Sequence, residues 1–542
     1  MSRTILYKAR KIITMDRNCP EATHVAVRNG RVLAVGGPDC ANGWGDAISD
    51  DRYADKIMMP GLIEAHAHVM AGGLWRFAYC GHYARLDPDR AEWSGVTNCD
   101  ALIERLRAVA ARTPPGKAVV GWGLDPHHLA EGPLTRHVLD QVSTDHPVAV
   151  LHSSVHVLTA NTAALEGAGL GEASALEGVV RGDDGRPMGE LQEFAAMGPV
   201  LNLCGLDFAQ LSDAEAVRSY GKLARNCGVT TAADLLAALD PDEVDMLVQI
   251  TGDPGFPIRY VPIMNAMRGA PEAEAARAVA LRARSTDKLH LGRAKLFTDG
   301  SIQAYTALLK EPGYFTGPDH GMLNMDVEHF RAAVAALHKA GVKTHIHTNG
   351  DAASQLAIDA IAQAMLETAD ADHRHTLEHV QLADRAQFKR MRNLGICVNL
   401  FANHLHYFGD THYEQTLGPD RANRMDACLD AAEVFGGDFA IHSDAPVTPM
   451  APLFTAWCAV NRLTQSGRRL GDSQQIPVTA ALHCITLGAA YVLKMDDEIG
   501  SIATGKRADF CILAEDPLNV DPMALKDISV AGTVLGGAHF PN

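Results

Sequence analysis

The chain has 542 residues, 47% of them hydrophobic and 21% charged, the balance of a globular protein that buries a large interior without disulfide staples. Acidic residues outnumber basic ones, 65 to 48, and the formal charge of −17 argues against nucleic acid and anionic membrane surfaces as partners. Its 11 cysteines include no CxxC pair, which argues against a disulfide framework or a zinc knuckle and points to small core residues.

The first segment, "MSRTILYKARKIITMDRN", alternates apolar and basic residues and lacks the continuous apolar core of a secretory leader. No later run is long and apolar enough to span a bilayer, so a cytoplasmic protein is expected. Residues 4 to 36 read as short alternating strands, with Asn29-Gly30 as a two-residue hairpin turn before "RVLAVG". The far end repeats this style in 499 to 516 and 528 to 540. Neither end carries enough apolar residues for its own core, so a composite β-sandwich from 1–58 and 488–542 is expected, bracketing a central domain at 59–487.

Within 59–487, strand-like runs alternate with helical patterns: "GLIEAHAH" (61 to 68), "GVTTAADLL" (228 to 236), "IRYVPIM" (258 to 264), "RAKLFTDG" (293 to 300), "VKTHIHTNGD" (342 to 351), "RHTLEHV" (374 to 380), "GICVNLF" (395 to 401) and "FAIHSDAP" (439 to 446). Eight strands alternating with helices predict an α/β fold, a (β/α)8 TIM barrel. The helical stretch 326 to 341, closed by Gly341, fits its outer ring. The interval after the first strand is too long for a loop and predicts an inserted subdomain at about 72–210, on the catalytic rim.

His-x-His is expected about once by composition alone and occurs at 66/68, 345/347, 373/375 and 404/406, so the pattern by itself is weak. Placement is more informative. On a strand, His66 and His68 share one face, near the C-terminal end where active sites of this barrel lie. His347, His379 and Asp444 end other strands at the same rim, and imidazole with carboxylate suits zinc and related divalent ions. Lys295, at the end of a buried strand, must be paired, neutral or modified. As a neutral amine it can capture carbon dioxide and become an oxygen ligand.

The ordered blocks "PGLIEAHAH", "KLFTDGS", "HTNGD", "LEHVQ" and "HSDAPV" resemble the amidohydrolase superfamily, in its family-3, YtcJ-like branch, over essentially the whole chain. The resemblance implies one metal on His66, His68 and Asp444, a second on His347 and His379, and N6-carboxylated Lys295 as the bridge, with zinc as the default ion. A one-metal site and His345 as rival to His347 stay open. The implied reaction is hydrolysis of a non-peptide C–N bond of a small molecule by a metal-activated hydroxide, with Asp444 as general acid and base. An esterase, a lactonase, a non-hydrolytic lyase or an inactive scaffold are the alternatives on the same frame. Trp75, Trp122, His156, Phe401, His404 and His406 are candidate substrate contacts, and a homodimer is the default assembly.

Overall fold

The computed structural model of the protein describes residues 3–542 except 126–128, 130, 172–173, 175, 207 and 318–319. The chain divides into two compact units, Met1–His68 with Ala224–Asp444 and Met450–Asn542, and Val69–Leu223 with Ala445–Pro449.

The first unit holds the barrel. Its eight strands are Leu62–Ala67, Val229–Ala237, Arg259–Asn265, Ala294–Phe297, Thr344–Thr348, Thr376–His379, Cys397–Leu400 and Ala440–Ile441, paired in chain order in one sheet. Every pair is parallel. Between the eighth and the first strand, the Asp444 N–H donates to the His66 carbonyl at 3.2 Å, and the Ser443 hydroxyl donates to Glu64 at 2.6 Å. Helices between the strands follow their local signals. Asp326 caps Val327–Lys339 by accepting from the His329 N–H, and Asp384 with Gln387 forms a capping box on Arg385–Asn393.

Both chain ends contribute to one seven-stranded sheet of the same unit. Thr4–Ile13 lies beside Ala47–Pro60, which pairs on its other edge with Phe510–Leu513, so the ends meet across a strand that runs straight into the barrel. One face buries Tyr7, Val25, Met58, Phe510, Ile512 and Val534 in a common cluster. Asn29 and Gly30, at φ 53° and 71°, make the hairpin turn that the sequence predicts. The terminal sheet is tied to the barrel by a buried pair: Arg259 of the third strand donates to both oxygens of Asp509, at 2.7 and 3.0 Å. Helix Leu487–Val492 and the segment to Ile499 pack on barrel strands, so the chain joins the terminal sheet only beyond that point.

The second unit has a six-stranded sheet in the order Val179–Arg181, Pro187–Gln192, Val157–Ala160, Val148–His152, Val119–Leu124, Ala78–Tyr79. Apolar clusters cover it, one built on Leu151, Leu158, Leu191 and Met197, the other on Leu102, Leu106 and Leu139. Its chain starts just after the first barrel strand and extends to 223, with five further residues drawn from the loop after the eighth strand.

Candidate metal centre

The barrel strands bury several ionisable side chains, Glu64, His66, Lys295, His345 and Glu378. In the middle layer sits Glu378, fully buried, its carboxylate accepting from His66 Nδ1 at 2.8 Å, His345 Nδ1 at 2.6 Å and Asn399 Nδ2 at 2.9 Å. Burial pushes Glu378 up to about 8, against the pull of Lys295 and Asn399. Glu64, two residues before His66 on the same face, is likewise pushed up by burial to about 8 and is held by Ser443.

Above this layer, His66, His68 and Asp444 come together. Their ligand atoms lie within 4.8 Å of one another, and so do those of His66, His379 and His442. His66 Nε2 and His68 Nε2 stand 3.3 and 3.2 Å from the same oxygen, Asp444 Oδ1, which makes no hydrogen bond. With its Nδ1–H spent on Glu378, a neutral His66 presents a lone pair at Nε2, and a lone pair facing a carboxylate oxygen is repulsive unless a cation lies between them. Burial pushes His66 well below its ordinary value, which keeps it neutral. Burial alone would raise Asp444; positive charge on the His66 and His68 side, the place a metal cation would take, is what draws its carboxyl well below the usual carboxylate range. This donor set, two imidazoles and an ionised carboxylate with an orphaned oxygen, fits a divalent metal.

The remaining candidates adjoin it. His379 Nε2 lies 3.1 Å from His347 Nδ1, and its Nδ1 lies 3.0 Å from His442 Nε2. His347 Nε2 faces the Gly300 carbonyl and the Asn349 amide, each at 3.2 Å. His379 and Asp444 both adopt left-handed backbone, with φ of 68° and 53°, a conformation that histidine and aspartate enter more readily than most side chains. Lys295 is buried at 4% exposure, and burial lowers its amine to about 8 despite Glu378 and Asp444 nearby. His345 is wholly buried one layer lower, with its Nε2 unpartnered.

Two residues of this centre escape the sequence reading. His442 stacks on His66 at 4.5 Å between ring centroids, and its two-residue spacing from Asp444 in "IHSDAP" was the available signal. Glu378 precedes His379 in "LEHVQ", but nothing in a linear pattern shows that it links His66 to His345.

The candidate substrate contacts separate. Phe401 is buried against the cluster, stacked on His442 at 5.0 Å, and His404 packs on Phe401 at 4.9 Å while bonding His412. His406 instead bonds the Leu463 carbonyl at 2.9 Å and sits against Phe454 and Trp457. In the second unit, Trp75 and Trp122 meet edge to face at 5.0 Å within an aromatic cluster, and Trp122 buries an unpartnered Nε1. His156 of that unit pairs with Glu193 at 3.1 Å. Among the described residues, no helix is long and apolar enough to cross a membrane.

A sequence profile of the amidohydrolase family matches residues 54–539. The N-substituted formamide deformylase of Arthrobacter pascens is 26% identical over 99% of this chain and 98% of its own. The Bacillus subtilis (strain 168) protein YtcJ is 26% identical over 89% of this chain and 88% of its own. Among solved structures, an uncharacterized metal-dependent hydrolase from Pyrococcus horikoshii OT3 superposes with a TM-score of 0.73 at 21% identity, covering 96% of this chain and 99% of that one, a likeness of fold. With the profile spanning nearly the whole chain and the barrel carrying the ordered histidine blocks, this protein belongs to the amidohydrolase family.

Proposed function

We propose that this chain is a metal-dependent hydrolase of a carbon–nitrogen bond other than a peptide bond, acting on a small molecule with an N-formyl, N-acyl or cyclic amide group. The observation that carries the reading is the convergence of His66 Nε2, His68 Nε2 and the orphaned Asp444 Oδ1. The similarity to a formamide deformylase over the full length of both chains supports the bond type.

His66, His68 and Asp444 would hold one ion, zinc by default, and His347 with His379 a second, with His442 the alternative partner of His66 and His379. A bound divalent ion lowers the pKa of water towards about 7 and polarises a carbonyl. Glu378, accepting from Nδ1–H, would fix the His66 tautomer that turns the Nε2 lone pair to the site. Lys295, its amine lowered toward the neutral form by burial, would add to carbon dioxide, forming a nitrogen–carbon bond and releasing one proton, to give a carbamate whose oxygens could serve as metal ligands. Asp444, held ionised, would accept the proton of the attacking water and pass it to the departing nitrogen, so that amide plus water becomes carboxylic acid plus amine. Phe401 supplies an apolar wall beside the histidines.

Turnover of a panel of N-formyl, N-acyl and cyclic amides against matched esters and lactones tests the reading. Amide cleavage that needs added or retained metal is the expected result. Cleavage of esters alone, or of amides undiminished after complete metal removal, would overturn it.

A further inference from the structure

The barrel end away from the histidine cluster, where the strands begin, contains a cavity of about 390 Å³. Arg293 and Lys343 stand immediately before the fourth and fifth strands and line it, as do Arg282 and Lys494. Among the described residues, Asp370 is the one carboxylate in its wall, and the other titratable groups there are His338, His373 and His375. In a chain of net charge −17, four cations around one cavity need an explanation.

Internal pairing does not supply one. Arg293 spends Nε and Nη2 on the Leu493 carbonyl at 3.2 and 2.8 Å, and Arg282 spends Nη2 on the Gly341 carbonyl at 2.6 Å. Lys343 donates to the Arg374 carbonyl and, at 2.8 Å, to Thr376 Oγ1. None of these three is in an ion pair among the described residues; only Lys494 is, with Asp372 at 3.3 Å. The histidines add no negative charge: His338 bonds His375 and the Thr368 carbonyl, and His373 bonds the Leu394 carbonyl. Burial pushes Lys343 down to about 7, and Arg282 adds to the burial that lowers Arg293 to about 10. Carbonyl dipoles cap the two guanidiniums without neutralising them, closely spaced cations repel one another at low dielectric, and Lys343, so lowered, regains its full charge when an anion sits beside it.

We propose that this cavity binds a compact oxyanion, the phosphate or carboxylate group of a small molecule, with the Arg293 and Arg282 guanidiniums as its principal donors and Lys343 and Lys494 supplying charge. It is a site apart from the metal centre, on the opposite end of the same strands, and it does not depend on the hydrolase reading.

Calorimetric titration of the full chain with inorganic phosphate and, separately, with succinate at matched ionic strength tests it. Saturable binding of at least one is expected, the responding anion identifying the source as phosphoryl or carboxylate. Arg282 and Lys494 are exposed, so Arg282→Gln with Lys494→Gln should leave the melting temperature of anion-free protein unchanged and weaken binding at least about tenfold. The charge-retaining Lys494→Arg should keep it. No saturable heat from either anion up to about 10 mM, or equal affinity in the double variant, would overturn the proposal.

Discussion

Glu378→Gln is the sharpest perturbation of the proposed centre because it preserves shape and removes the carboxylate that a cation on His66 would hold ionised against its burial. The glutamine oxygen would take the place of Oε2, where His66 Nδ1 at 2.8 Å and Asn399 Nδ2 at 2.9 Å both donate. Its NH2 would then face His345 Nδ1, which now donates to Oε1 at 2.6 Å and would have to become an acceptor. His345 can do so by moving its proton to Nε2, an atom without a partner. The variant therefore keeps its hydrogen bonds and should fold, and the loss concentrates on the His66 bond. A charge-assisted bond is roughly twice as strong as a neutral one, so about 1–2 kcal/mol of support for His66 as a ligand is lost. That corresponds to roughly tenfold weaker metal binding, within the range for partners that orient a metal-bound imidazole. Competition with a chromophoric chelator reads this directly. Wild-type affinity in a folded Glu378→Gln protein would refute the claim that Glu378 orients a metal ligand.

Asp444→Asn keeps an oxygen for the ion but removes the base, so turnover should fall by at least about a hundredfold with metal content retained by elemental analysis; near-native activity removes Asp444 from the proton-transfer role. Asp509→Asn leaves Arg259, 1% exposed, with Asp287 at 3.2 Å as its remaining counter-charge and should cost about 2–3 kcal/mol in urea unfolding, whereas an unchanged midpoint would deny the pair its part in joining sheet and barrel. His373, 4% exposed, accepts the His375 N–H at Nδ1 and donates from Nε2, so a proton on Nδ1 breaks a bond. Burial lowers it to about 4, below the ~6.5 of an unfolded histidine, so the unfolded chain binds more protons between those values and stability falls on acidification through that window. The complete effect is about 3 kcal/mol, and His373→Gln should flatten the dependence of unfolding free energy on pH by a comparable amount; an unaltered slope would contradict it.

The barrel strands were legible because each is an apolar run followed by a polar turn and a helix, and all eight runs are strands in the structure. The strand Ala47–Pro60 was not, since its first half, "AISDDRYAD", is mostly exposed and lacks alternation; only its pairing with Thr4–Ile13 makes it a strand. The rim histidines were readable from strand-end placement and from the family blocks. Glu378 was hidden because its meaning lies in His66, 312 residues away, and in His345 on the neighbouring strand. His442 was hidden because Asp444 beside it already accounted for the motif. Among the aromatic and histidine candidates, local sequence could not separate Phe401, which lies on the cluster, from His406, which turns to the Leu463 carbonyl.

The central claim is tested most directly by a crystal structure of the protein loaded with zinc, with anomalous data collected at the zinc edge. The account predicts a peak about 2.0–2.2 Å from His66 Nε2, His68 Nε2 and an Asp444 oxygen. A zinc-saturated crystal with no anomalous density among those three residues would contradict it.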